Sequence, residues 1–168
     1  MQKMKEINIH HYDDEPFSIE ALPENLQCKL MCLHPEWMRD EEIPADGSNP
    51  YVIMVHTPEC DFKIKYYMYD TFQKFIDKAK FSENDIVILD TVERAMDSGV
   101  PLFRGWDCAK AAQVKVPIDR IYYLSAYLAT LPQEMKDAIP AGQLMIKPVN
   151  PNNFAVIILN KLGIISDE

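Results

Sequence analysis

The run Ile86-Val87-Ile88-Leu89 ends on Asp90. Short, apolar and β-branched, it predicts a strand buried on both faces, as found in the middle of a parallel sheet. A carboxylate at the carboxyl end of such a strand stands where open α/β sheets place their chemistry. A lone aspartate there is more often a cap for the next turn, so its company matters. Asp13 and Asp14 end an earlier strand-like segment, and their mutual repulsion calls for a cation or for solvent. A hard divalent ion with oxygen ligands suits such a pair, Mg²⁺ using one or two carboxylates plus waters. Ser125 ends another strand-like run, placing a hydroxyl where it could touch a group bonded to Asp90. Lys147 ends one more, beside Pro148, a position that points to a fixed role rather than a snorkelling surface lysine.

These residues need a sheet to gather them. Residues 5–12 alternate loosely and read as a first strand with Ile7 and Ile9 on one face. Residues 16–22 look like a helical turn or two that Pro23 should end or kink. Residues 26–33 fit strand or helix equally. Three prolines and a run of acids make 34–50 a loop, and Tyr51–His56 is strand-like. The whole of 24–61 reads as an insertion that adds a strand or hairpin to a sheet edge. Residues 62–69 (FKIKYYMY) predict a strand, followed by a helix with Asp70 as its cap and Phe72, Phe75, Ile76 and Ala79 along its buried stripe. Strand, helix and the Asp90 strand make a βαβ unit. Residues 101–113 read as helix despite Gly105, with Trp106 a half-buried packing residue. A strand over 118–124, a short helix over 132–139, a strand over 142–146 and a last helix capped by Asn150 complete the alternation. Five strands interleaved with helices predict an α/β fold, a doubly wound parallel sheet.

Composition narrows the function. Over 168 residues, 48% are hydrophobic and 26% charged, an ordinary globular balance for one domain with a real core. A net charge of −9 argues against nucleic-acid binding through phosphate contacts. No apolar run approaches the roughly 18 residues of a membrane span, and the start MQKMKE lacks the apolar stretch of a signal peptide. Cys28, Cys32, Cys60 and Cys108 form no disulfide framework, so a reducing cytoplasm is expected. Cys28, Cys32, His34, His56 and Cys60 are loosely compatible with zinc, but their spacing fits no established motif and buried apolar thiols are the commoner reading.

An acid pair, an acid, a hydroxyl and a lysine at equivalent strand ends resemble the response-regulator receiver domain of two-component signalling. Asp13-Asp14-Glu15-Pro16 matches its acidic motif and Ile86–Asp90 its phosphoacceptor strand. Met96-Asp97-Ser98-Gly99 echoes its Met-Asp-Gly turn, Ser125-Ala126 its hydroxyl-small pair and Lys147-Pro148 its lysine-proline ending. The match covers roughly 5–22 and 62–163, and the gap from Asp14 to Asp90 is some thirty residues longer than the family's.

The resemblance implies a flavodoxin-like five-stranded parallel sheet in order 2-1-3-4-5, as one receiver-like domain over 1–168 with the insertion at about 24–61. It implies Asp90 as phosphoacceptor, and Mg²⁺ held by Asp14, by Asp13 partly through water, by Asp90 and by the carbonyl of Val92. Ser125 would bind a phosphoryl oxygen, Lys147 would pair with Asp90 or the phosphoryl group, and the Lys147–Pro148 bond would be cis. Any catalysis would be Mg-dependent self-phosphorylation from a phosphohistidine donor and autodephosphorylation. The implied partners are a histidine kinase or phosphotransfer protein and a downstream protein, with no nucleic acid or membrane and with a homodimer left open.

Three departures stand out: residues 92–95 (VERA) replace the usual Met-Pro turn, Leu144 stands where many receivers carry a switch aromatic, and Ser125 replaces the commoner threonine. The competing reading is a receiver-like interaction module that acts unphosphorylated through its insertion. A haloacid-dehalogenase-type phosphatase needs an acid two residues after its nucleophile, and Val92 stands there.

Overall fold

The structure, a computed structural model, describes residues 2–15, 21–39, 49–91, 93–94, 101–126 and 128–166. Its frame is a six-stranded sheet formed by β1 (Met4–Tyr12), β2 (Tyr51–His56), β3 (Asp61–Tyr69), β4 (Ile86–Asp90), β7 (Ile121–Ser125) and β8 (Leu144–Ile146). A separate two-stranded ribbon pairs β5 (Glu93–Arg94) with β6 (Pro101–Leu102). The order across the main sheet is β2-β3-β1-β4-β7-β8. β3, β1, β4, β7 and β8 are mutually parallel, which is the expected 2-1-3-4-5 arrangement. β2 alone runs antiparallel, added to the outside of β3.

The helices are α1 (Ala21–Leu33), α2 (Phe72–Lys78), α3 (Arg104–Ala112), α4 (Gln133–Ala138) and α5 (Pro151–Lys161). β4 shows why the sheet must be covered on both sides. All five of its residues are buried, Ile86 and Ile88 facing one apolar cluster and Val87 and Leu89 the other. On the first face, Leu22, Leu26 and Leu30 of α1 and Phe154, Ile158 and Leu159 of α5 join Ile7, Ile9 and Ile64. On the second, Phe75 of α2 and Cys108, Ala109 and Ala112 of α3 pack on Tyr12, Leu89 and Tyr123. Leu, Ile and Phe at helical spacing supply the covering stripes, and that burial is the main force holding the layers together.

Several local expectations shift. Pro23 neither ends nor precedes the helix but lies in the first turn of α1, where a missing N–H removes no intrahelical bond. Residues 26–33 are helical, so the added edge is built by a later stretch of chain, a 3₁₀ turn at Pro35–Trp37 and then β2. A tight turn joins β2 to β3, with Thr57 Oγ1 donating to Cys60 O at 2.7 Å and accepting from Cys60 N. At the other end, Asn49 clamps β3 by accepting from Met68 N and donating to Met68 O, both at 3.1 Å. The cap of α2 is Thr71, not Asp70; its side chain accepts from Lys74 N at 3.1 Å. Ile76 is 42% exposed and does not join Phe75 in the core. The β5–β6 ribbon between β4 and α3 was not expected from the residues. Asn150 caps α5 as expected, accepting from the N–H groups of Asn152 and Asn153. The peptide bonds before Pro148 and Pro50 are cis.

Candidate functional site

Three strand ends and one strand extension converge on the same point. β1 runs through Tyr12, and Asp13 N continues the pairing by donating to Tyr69 O at 3.1 Å. β4 ends on Asp90, opposite Leu124 of β7. Lys147 follows the last residue of β8, and its N–H donates to Ser125 O at 2.9 Å, extending the β7–β8 ladder by one step. Thr91 fastens the exit from β4, its N–H and Oγ1 both donating to Leu124 O. Parallel pairing in register therefore delivers Asp13, Asp14, Asp90 and Lys147 to one edge of the sheet.

A carboxylate oxygen from each of Asp13, Asp14 and Asp90 lies within 4.8 Å of the other two. Lys147 Nζ sits 2.7 Å from Asp13 Oδ2 and 3.5 Å from Asp90 Oδ2. The other oxygen of Asp13 accepts from Glu15 N at 2.9 Å. Asp13 and Asp90 are buried, whereas Asp14 is half-buried. Burial first, then the hydrogen bond to Asp14 and the charge of Asp13, push the Asp90 carboxyl up to about 8, and Lys147 only partly offsets this. Burial alone would lower the Lys147 ammonium, but Asp90 and Asp13 outweigh it and hold it above its ordinary value. One lysine against three acids leaves an excess of negative charge in a low-dielectric recess. The donors are all oxygen, crowded and acidic, which fits a hard dication such as Mg²⁺ and not a soft one. The three carboxylates could hold a metal ion.

Ser125 is fully buried one residue beyond Leu124, on the strand next to Asp90's. Val92, given a carbonyl role by the resemblance, and the Met96-Asp97-Ser98-Gly99 echo lie outside the described residues. A cleft of about 470 Å³ opens beside Asp13 and Lys147, with Glu15 on its polar side and Leu22, Ala126, Pro148 and Val149 on its apolar side. Leu144 is only partly buried, against the Tyr12 and Tyr123 cluster.

Two features carried no mark in the residue pattern. Gly105 of α3 is pressed against the end of β4: a Cβ there would fall 1.9 Å from the Asp90 carbonyl oxygen. The glycine that weakens the helix is what lets it approach the phosphoacceptor candidate's backbone. His11, two residues before Asp13, is fully buried; its Nδ1 meets Tyr66 Oη at 2.6 Å while Nε2 has no partner among the described residues. Burial depresses its basicity to about 4, against the opposing pull of Asp13. Two adjacent histidines within a strand carry no signal that would have singled out the second.

The candidate zinc ligands do not converge. Cys28 and Cys32 are exposed on α1, His34 stacks on Trp37, His56 bonds Asp61 at 3.0 Å, and Cys60 is buried in the core. Among the described residues the acidic trio is the one group of three or more His, Cys, Asp and Glu side chains gathered closely enough for a metal.

The doubly wound sheet thus carries acids, a hydroxyl and a lysine at the carboxyl ends of its strands. Among solved structures the chain is similar to a response regulator receiver protein from Burkholderia phymatum, with a TM-score of 0.50, at 16% identity over 96% of this chain and 98% of that one. The protein therefore has the receiver-domain fold. No protein-family model and no curated protein matches the sequence. No helix of the described residues is long and apolar enough to cross a membrane.

Proposed function

We propose that the chain is a phosphoacceptor receiver, one domain over 1–168, that relays a signal from a phosphohistidine donor on a histidine kinase or phosphotransfer protein. The observation that carries this reading is the single cluster of Asp13, Asp14 and Asp90 with Lys147 Nζ against two of them. A carboxylate oxygen of Asp90 attacks phosphorus as the P–N bond to the donor imidazole breaks; the electron pair stays on the ring nitrogen, which takes a proton. Asp13, Asp14 and Asp90 would hold Mg²⁺, which supplies positive charge to the phosphoryl oxygens. Lys147, already oriented by Asp13, is placed to meet the charge gathering on those oxygens. Ser125, on the neighbouring strand, would donate its hydroxyl to a phosphoryl oxygen once Asp90 is modified. The added group brings nearly two negative charges and strong acceptors to this edge, which alters the surface offered to a downstream protein. The four cysteines, none in a disulfide, suit a reducing cytoplasm.

The test is exposure to acetyl phosphate or beryllofluoride with Mg²⁺, read by intact mass and by Trp106 fluorescence, since Trp106 lies 6.0 Å from Tyr123 of β7. The wild type should respond in a Mg²⁺-dependent way and Asp90→Asn should not. Identical behaviour of the two proteins sinks the proposal and leaves the unphosphorylated interaction module.

A further inference from the structure

Cys28, Met31 and Cys32 share the outer face of α1, and the acidic site makes no use of them. Both thiols are exposed and Met31 is 39% exposed, while Leu22, Leu26 and Leu30 of the same helix turn into the core. At 3.6 residues per turn the three sulfur side chains fall within an arc of about 100°. We propose that Cys28, Met31 and Cys32 form a surface site for one soft monovalent cation of the Cu(I) class, independent of the carboxylate cluster.

The spacing selects this chemistry over its rivals. Residues four apart on a helix hold their Cβ atoms about 5–6 Å from each other. A disulfide needs about 3.8 Å, so the intact helix resists closing the pair by oxidation. Two thiolates bound to one ion, with metal–sulfur bonds of about 2.3 Å, span about 4.6 Å, which this spacing allows. A structural zinc site takes four protein ligands, whereas two thiolates and a thioether satisfy a two- or three-coordinate soft ion. Nearby donors do not complete a zinc tetrahedron: His34 is stacked on Trp37 at 3.6 Å between ring centroids and meets Glu36. Uptake exchanges two thiol protons for the ion, so each Cu(I) bound releases two protons.

The experiment is an anaerobic titration of the reduced full chain with Cu(I) held by a chromophoric chelator. The wild type should withdraw one equivalent per chain without a change of oligomeric state, with a new thiolate-to-metal absorption in the ultraviolet. Cys28→Ser and Cys32→Ser should each abolish withdrawal, and Met31→Leu should weaken it. Circular dichroism checks that the surface variants keep the fold. Asp90→Asn should withdraw copper as the wild type does, which separates this site from the phosphoacceptor reading. Withdrawal undiminished in the Cys28→Ser/Cys32→Ser double variant assigns the ion to Cys60 or Cys108 and overturns the proposal. One ion per two chains overturns it too, as does no withdrawal by the wild type.

Discussion

Strand β4 is bracketed by two buried aspartates, Asp85 just before it and Asp90 at its last position, and their surroundings drive them in opposite directions. Asp85 accepts from Ser82 N and Ser82 Oγ, each at 2.9 Å, from Asn8 Nδ2 at 3.3 Å and from His10 Nε2 at 3.1 Å. The carboxylate can only accept, so His10 carries its proton on Nε2, and Nδ1 faces Tyr69 Oη at 2.9 Å. Burial would raise the Asp85 carboxyl, but the donors of His10 and Ser82 outweigh it and hold the group below its usual range. Asp90 has acids where Asp85 has donors, and it is pushed up. The comparison separates two uses of a buried carboxylate. At Asp85 the polar network closes on itself and ties β1 to β4. At Asp90 the charge is left unbalanced, a setting that suits the uptake of a cation.

Breaking the closed end should cost most. Asp85→Ala leaves donors from His10, Ser82 and Asn8 unmatched in the interior and should cost about 3–5 kcal/mol in urea unfolding. A loss below about 1 kcal/mol would show that the network is incidental.

Next in size is the contrast between His10, with both ring nitrogens engaged, and His11, with one nitrogen unpartnered among the described residues. The unfolded chain binds a proton at His11 near pH 6.5 and the folded chain only near 4. Stability from this group is therefore full above 6.5 and falls as pH drops toward 4, by roughly 3 kcal/mol. His11→Leu should flatten that part of the stability–pH curve. A variant that keeps the same slope would place the acid sensitivity elsewhere.

Asp90→Asn tests the open end from the other direction. A carboxyl raised from 3.8 to about 8 contributes stability that is fully present below the lower value and is lost as pH rises through the higher. Without metal, the variant should match the wild type near pH 4 and exceed it at pH 8, the gap opening as the pH rises between the two. Saturating Mg²⁺ should narrow or reverse the gap, because only the wild type keeps three carboxylates. Equal stability of both proteins at pH 8 in EDTA would contradict the charge imbalance.

Gly105→Ala tests the same end of β4 without touching a carboxylate. The added methyl would overlap backbone atoms of Asp90 and Thr91, which cannot rotate away, so α3 or the β4 end must shift, at about 3 kcal/mol or more. Weaker Mg²⁺ affinity in this variant would show that the helix sets the position of Asp90. Unchanged affinity would show that the sheet alone does so.

Much of this was legible in the residues. The apolar run before Asp90, the paired acids after β1 and the Lys147-Pro148 ending are local patterns, and strand ends can be read from where β-branched runs stop. Tyr51–His56 was legible as an added edge strand for the same reason. Legibility failed where local patterns are ambiguous: Pro23 is compatible with the end of one helix or the start of another, and 26–33 carries apolar residues that suit either period. Pairing of two-residue strands such as Glu93–Arg94 with Pro101–Leu102 leaves no periodic trace at all.

The sequence by itself determined the element types, the strand ends and the chemistry available at them, because hydrophobic periodicity and residue type are local properties. Only the tertiary structure decided which charges meet. Lys147 reaches Asp13 across 134 positions of chain, and Asp85 and Asp90 differ through neighbours brought from other strands. A carboxylate's fate depends on donors and charges within a few ångströms, and those are chosen by sheet order and register.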